Sequence, residues 1–205
     1  MAYPTVNKTY GFKPVNRLDG LPYAGAIRQI PIAPSYATAI LNGDTVQVNG
    51  SGYVVAASTT DSGNIAGVLV GCSYINSLSQ PTFAQAYPAG TSTSTNMAMA
   101  FVVDDPSAAF RVCATVAGST TPTAYTRALV GANVALVANV GSTTTGDSYY
   151  GIDGSSAATT NTLPIRVIDV IPDTATGPAT TAATTYYEFI VKFNTAQYNN
   201  TTGVA

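Results

Sequence analysis

Short runs of β-branched and aromatic residues, each ended by Gly, Pro, Asn, Asp or Ser, recur along most of this 205-residue chain. Such runs suit strands, and the residues between them suit turns. The clearest are 45–48, which precedes an Asn-Gly-Ser-Gly turn, and the alternating segments 163–171 and 186–193. No segment has the convincing 3.6-residue periodicity of an amphipathic helix. The chain is therefore predicted to be all-β, an antiparallel β-barrel or β-sandwich.

About nine strands are predicted, and the first three follow one another closely. Residues 43–70 are expected to form a contiguous antiparallel meander, because strand, tight turn, strand, loop and strand succeed each other. Residues 131–140 could form a short helix by their alanine content, but Val134, Leu136 and Ala138 alternate with other residues, which favours a strand. The strands are predicted at 45–48, 53–57, 65–70, 83–87, 97–104, 110–116, 131–140, 163–171 and 186–193. Loops are predicted at 118–124, 141–147, 154–162 and 172–185.

The first 36 residues differ from the rest of the chain. They contain five of the twelve prolines, and four basic residues against a single acidic one, Asp19. Prolines at this spacing exclude a helix and disfavour central strands. Residues 1–36 are therefore predicted to be an extended arm that is ordered by contacts to another chain; the alternative is one or two strands packed on the parent domain. Residues 37–194 are assigned to the β-domain, and 195–205 to a flexible tail.

Most side chains that carry catalysis near neutral pH are missing. The chain has no histidine, one glutamate and three lysines, so it can form neither a Ser–His couple nor a zinc site with histidine ligands. The one acidic pair, Asp104-Asp105, would point to opposite faces of a strand, and the Pro106 that follows makes a turn capped by one carboxylate the natural interpretation. We assign no catalytic residue, cofactor or metal site, and expect that the protein is not an enzyme.

The two cysteines and the low charge indicate the setting of the protein. Cys72 and Cys113 lie in predicted strands and could pair, but buried free thiols are favoured, because the chain starts without a signal-peptide pattern and synthesis in a cytoplasm is expected. No apolar run is long enough to span a membrane. Only 9% of the residues are charged and the net charge is −2, so we expect neither nucleic acid nor membrane partners. Such a surface is common where a protein is covered by neighbours.

Several segments share a pattern of small apolar residues and turn residues that goes beyond a generic strand. They are 21–33 (LPYAGAIRQIPIA), 39–44 (AILNGD), 65–74 (IAGVLVGCSY), 87–90 (YPAG), 103–110 (VDDPSAAF) and 163–169 (LPIRVID). In these segments the chain resembles a family of virion structural proteins of tailed bacteriophages. These are packing and turn signatures, and the resemblance carries over no catalytic residue.

The resemblance implies a capsid decoration, or cement, protein that binds the major capsid protein on the outer surface of the head and stabilises the shell. The predicted arm would lie across neighbouring capsid subunits. Its expected anchors are Tyr10, Phe12, Arg17, Tyr23 and Arg28. A homotrimer is also expected, because closed cyclic symmetry is the usual way to cover a surface this poor in charge. The alternative is a tail- or fibre-associated adhesion module that binds host glycans through its Thr/Ser loops and tyrosines.

Overall fold

The computed structural model describes residues 8–19, 21–22, 25–58, 64–172 and 187–199. These residues form twelve strands and two short 3-10 helices, at Arg127–Leu129 and Gln197–Asn199, and no α-helix. The predicted all-β class is confirmed. The strands are β1 (Lys13–Arg17), β2 (Arg28–Pro31), β3 (Thr45–Val48), β4 (Val54–Ala56), β5 (Gly67–Ile75), β6 (Pro81–Ala84), β7 (Met99–Val103), β8 (Ala108–Cys113), β9 (Asn133–Val137), β10 (Gly151–Ala158), β11 (Ile165–Ile171) and β12 (Glu188–Phe193).

The strands form two six-stranded antiparallel sheets, as in a β-sandwich. Sheet A has the order β1-β8-β12-β11-β9-β10, and sheet B has the order β2-β7-β5-β3-β4, with β6 paired to β5. The chain passes from sheet A to sheet B between β1 and β2, and returns between β7 and β8. Both sheets therefore depend on contributions from the first 36 residues as well as from the middle of the chain.

Alternation along the strands decides which side chains enter the core. On β8 and β12, Phe110, Val112 and Phe189 point to the same side and are buried in a cluster that includes Val68 and Val103 of sheet B. The neighbours of these two valines in sheet B, Leu69 and Val102 among them, point the other way, into a second apolar cluster. Sheet B is therefore buried on both faces over its central part. The second cluster contains Ile30, Ile32, Ile40, Val46, Val54, Leu69, Cys72, Tyr87, Ala98, Ala100 and Val102.

The predicted meander over residues 43–70 is wrong in its strand order. The tight hairpin is present: β3 pairs with β4, and the amide of Asn49 donates to the carbonyl of Tyr53 at 2.9 Å. However, β3 also pairs with β5, so β3 lies between the other two strands. The pairing is antiparallel throughout, but the connection after β4 is long enough to pass β3 before β5 begins.

The prediction that residues 1–36 form an arm outside the domain is wrong for the residues described. Strand β1 pairs with β8 at the edge of sheet A, and β2 pairs with β7 at the edge of sheet B. The prolines are accommodated because both are edge strands: Pro14 adjoins a register shift, and Pro31 is the last residue of β2. The alternative of one or two strands packed on the parent domain is what the structure has.

The expected loop at 154–162 and the expected flexible tail also differ from the structure. Strand β10 extends through most of the glycine- and serine-rich stretch, where Gly154 lies against the ring of Tyr125, so that a Cβ there would come within 2.7 Å of it. In the tail, Ala196 is buried, and the Gln197 side chain makes two hydrogen bonds to the Val48 backbone, at 2.8 and 2.9 Å. Residues 200–205 lie outside the described ranges. The strand favoured within 131–140 is confirmed as β9.

Candidate binding surfaces

The aromatic residues predicted to anchor the arm contribute to the fold itself. Phe12 is fully buried, and its ring centroid lies 5.6 Å from that of Phe193. Tyr10 is half-buried, with the Arg111 guanidinium 5.3 Å from its ring centroid. Tyr23 lies outside the described residues. Phe12 therefore has no surface to offer a partner while the domain is folded.

The two predicted arginine anchors bind the chain's own acidic pair. Arg17 of β1 lies 2.8 Å from Asp105, and Arg28 of β2 lies 2.7 Å from Asp104. The carboxylate of Asp105 also accepts a hydrogen bond from the amide of Ser107 at 2.8 Å, so the interpretation of a capped turn is confirmed. The two carboxylates thus bind arginines from different sheets. They tie together the two connections that pass between sheet A and sheet B.

A buried polar cluster lies on the face of sheet A that is turned away from the core. Glu188, the only glutamate of the chain, is buried, and its carboxylate lies 3.3 Å from Nε of Arg111. Burial raises the pKa of the Tyr10 phenol well above its usual range, and electrostatic interactions with Cys113 and Glu188 raise it further. Burial likewise raises the pKa of the Cys113 thiol to about 12. The Tyr10 phenol and the Cys113 thiol are therefore held in their protonated forms, which indicates a structural role.

Both cysteines are buried free thiols, as expected from the sequence. Cys72 lies in the second apolar cluster behind sheet B, where burial raises its pKa to about 11. Cys113 lies on β8 of sheet A. A thiol is nucleophilic only as the thiolate, so neither cysteine is suited to reaction near neutral pH.

Among the described residues, the most exposed aromatic ring lies on the short edge strand β6. Phe83 is 77% exposed, and its ring stacks on that of Phe101 with centroids 6.3 Å apart. It pairs across the sheet with Ser73 of β5, so it occupies the face of sheet B that packs against sheet A elsewhere. Neighbouring apolar residues extend this exposed area, which we call the Phe83 surface. It consists of Ile75, Pro81, Phe83, Met97 and Phe101.

Two adjoining grooves, of about 420 and 630 Å³, flank the segment that contains Ala39 and Leu41. The larger is lined by two tyrosines, Tyr36 and Tyr150, and by the buried Asp44. Burial raises the pKa of Asp44 to about 6, against the opposing effects of the Ser148 hydroxyl, the Leu41 amide and the Lys13 charge. The volumes match those of small-molecule sites.

Within the described ranges, no group of three or more Cys, Asp or Glu side chains is placed to hold a metal ion. Among the same residues, no helix is both long and apolar enough to cross a membrane. Comparison with protein-family models, curated proteins and solved structures found no significant match.

Sequence reasoning placed Phe83 in a strand but did not single it out as a contact residue. A large aromatic in a short strand that follows the polar stretch 76–80 is a usable signal, because such a strand lies readily at a sheet edge. No comparable signal in the sequence predicts the contact between the side chains of Lys13 and Asn42, since the two residues are 29 positions apart.

Proposed function

We propose that this protein is a capsid decoration protein of a tailed bacteriophage, which binds the outside of the major capsid protein shell and stabilises the head. The resemblance in turn and packing segments supports this function, and so does the scarcity of charge. The observation that carries the proposal furthest is the Phe83 surface, because contiguous exposed apolar area marks interaction sites on otherwise polar proteins. A protein that binds the assembled shell, and not its separated subunits, stabilises the shell by mass action.

The proposed docking mode differs from an arm laid across neighbouring subunits. Arg17 and Arg28 bind carboxylates of their own chain, and Phe12 is buried, so these residues are poor candidates for capsid anchors. In contrast, Phe83 is exposed on strand β6, and its ring stacks on that of Phe101 from the strand on the other side of β5. A rigid aromatic at the centre of a patch is typical of interface hot spots. The surrounding Thr, Ser and Asn side chains would form the polar rim.

The Phe83 surface is too small to be a whole interface, since a standard interface buries roughly 800 Å² on each partner. The proposal therefore includes further contacts around it, including those within the homotrimer proposed from the scarcity of charge. A trimer at or near a three-fold position of the shell would present three copies of the Phe83 surface to neighbouring capsid subunits, which increases avidity without any new type of contact.

Copy number in the virion tests the function. Gel densitometry of purified virions should give on the order of hundreds of copies, whereas cyclic symmetry limits a tail component to about three to a few dozen. A copy number in the lower range would overturn the decoration role.

The docking surface is tested by binding of purified protein to capsid shells that lack it. Phe83→Ser should weaken binding roughly tenfold or more, because it removes the central aromatic of the proposed contact. Val140→Ser is the matched control, since Val140 is 90% exposed but lines the larger groove instead. Equal binding by both variants and the unchanged protein would show that the Phe83 surface is not the contact.

A tail- or fibre-associated adhesion module is the second candidate, and the larger groove favours it. Tyrosine rings stack on sugar faces, and Tyr36 and Tyr150 both line this groove together with threonines at positions 38 and 143. This function predicts a low copy number and saturable binding of host-surface glycans. Tyr36→Ala should weaken that binding, whereas Phe83→Ser should leave it unchanged.

A further inference from the structure

The side chains of Lys13 and Asn42 meet where the first strand of sheet A passes the turn that leads into sheet B. Nζ of Lys13 is in direct contact with Oδ1 of Asn42 and lies 3.3 Å from the Asn42 carbonyl oxygen. The amide nitrogen of Asn42 donates to the carbonyl of Val70 at 2.8 Å. This bond fixes which end of the amide faces the lysine. An amine is thus held against a carboxamide whose orientation is set from the other side.

The backbone around the two side chains is locked. The amide of Phe12 donates to the carbonyl of Gly43 at 2.9 Å, beside the two residues in question. Gly11 and Gly43 allow the two segments to approach, since a Cβ on Gly11 would come within 2.5 Å of the Gly43 oxygen. Groups that are held together in this way react at a high effective concentration.

The protonation states also suit a reaction between them. Burial lowers the pKa of Lys13; Asp147 and Asp44 oppose this effect, and Arg111 reinforces it. The amine is therefore shifted towards its neutral, nucleophilic form.

We propose that Lys13 and Asn42 join spontaneously in an intramolecular isopeptide bond. The neutral Nζ of Lys13 attacks Cγ of Asn42, and a C–N bond forms while the carbonyl electron pair moves to Oδ1. A proton passes from the attacking nitrogen to Nδ2, the electron pair on Oδ1 returns to reform the carbonyl, and the Cγ–Nδ2 bond breaks. One ammonia leaves, and no oxidant or cofactor is consumed.

The reaction has a competitor that also releases ammonia. In an Asn-Gly sequence the backbone nitrogen of the glycine can attack the asparagine Cγ to give a succinimide. Here the amide of Gly43 donates to the carbonyl of Leu69 at 2.8 Å, which holds that nitrogen in the sheet and away from the attack. The geometry therefore favours Lys13 as the nucleophile.

The bond would join the edge strand β1 of sheet A to the turn that precedes β3 of sheet B. It would close the two sheets covalently in a chain whose described cysteines are not paired. This inference is independent of the proposed capsid function, because it concerns only contacts within the chain.

Mass spectrometry of the purified full chain tests it directly. The denatured protein should be lighter than its sequence by one ammonia, and a tryptic digest should contain one branched peptide that joins Lys13 to Asn42. The branched peptide is decisive, because a succinimide at Asn42 would change the mass equally but would leave the peptides linear. A full mass with linear peptides only, after prolonged incubation of folded protein, would overturn the inference.

One substitution and a matched control test the nucleophile. Lys13→Arg keeps the charge but removes the amine, so the branched peptide should disappear; Lys192→Arg is the matched control and should retain it. Persistence of the branched peptide in Lys13→Arg, or its loss in Lys192→Arg, would refute the bond.

Discussion

Truncation of Phe12 tests whether the first residues belong to the folding unit. Phe12 would be exposed if residues 1–36 formed a separate arm, but it is fully buried in the structure, where its ring centroid lies 5.6 Å from that of Phe193. Phe193 in turn lies 4.9 Å from Phe110, so the substitution opens a cavity beside a chain of three rings. Replacement of a core phenylalanine by alanine costs about 3–5 kcal/mol, through lost transfer free energy and the cavity that remains.

A loss of this size is a large part of the total stability of a domain, which is about 5–15 kcal/mol. Equilibrium urea unfolding, followed by circular dichroism, should therefore show a markedly lower midpoint for Phe12→Ala with a similar slope. Both this variant and its control are made in the Lys13→Arg background, so that a covalent link at the adjacent residue cannot contribute.

Val15→Ala is the control for Phe12→Ala. Val15 lies three positions further along, in β1, but is 42% exposed, so its truncation should change the free energy of unfolding by about 0.5 kcal/mol or less. If Phe12→Ala proves as mild as Val15→Ala, the packing of residues 8–17 on the β-domain is refuted, and an arm ordered only by a partner becomes the better description.

Three further predictions concern the bond, the turn and the thiols. Lys13→Arg cannot form the proposed isopeptide bond and should lower the free energy of unfolding by about 3–4 kcal/mol. This value assumes that the bond closes a loop of 29 positions and restricts the unfolded chain as a disulfide would. Equal urea midpoints for the linked protein and the variant would contradict the prediction. Asp105→Asn keeps an oxygen that can cap the turn but loses the charge that faces Arg17, so it should lower the free energy of unfolding by about 1 kcal/mol. Thermal unfolding should show a smaller loss in high salt, and a salt-independent loss would exclude the ion pair as its cause. Burial raises the pKa values of Cys72 and Cys113 to about 11 and 12, so both thiols should stay protonated and unmodified by a thiol reagent at pH 8 in the folded protein, and react once it is unfolded. Because unfolding lowers these pKa values and releases the protons at high pH, the free energy of unfolding should fall as the pH rises above about 9.

Local sequence signals were most reliable where a strand carries its own pattern and its own turn. The hairpin of β3 and β4 is predictable because alternating residues flank an Asn-Gly-Ser-Gly turn, in which Gly52 adopts a positive φ of 81°. Strands β11 and β12 were predicted within a few residues of their ends. In each case neighbours in sequence are also neighbours in the structure.

Signals failed where the partner of a strand is distant in sequence. Strands β1 and β2 contain prolines, which argue against strands in general but are tolerated at the edges that β8 and β7 leave open. Strand β10 has weak β propensity, and its glycines are used for close packing against Tyr125 and Thr115. Propensity cannot report such contacts, since they exist only after the chain has folded.

The same division applies to the candidate sites. The Asp104-Asp105 turn was recognisable from its own residues, but the arginines that bind it, Arg17 and Arg28, were interpreted as anchors for another chain. An arginine carries no sequence mark that distinguishes a carboxylate of its own domain from one on a partner. The structure supplies this information because it brings residues separated by more than 70 positions to within 3 Å.

Composition and turn chemistry by themselves determined that this protein is an all-β fold. β-branched and aromatic runs punctuated by turn residues allow few other outcomes, because they act through short-range chemistry. The sequence favoured buried free thiols but left open whether the two cysteines pair. Only the tertiary structure decided the strand order of sheet B, the inclusion of residues 13–17 and 28–31 in the two sheets, the exposure of Phe83 and the contact between Lys13 and Asn42. The physical reason is that register, edges and side-chain encounters depend on contacts between distant parts of the chain, which no local window contains.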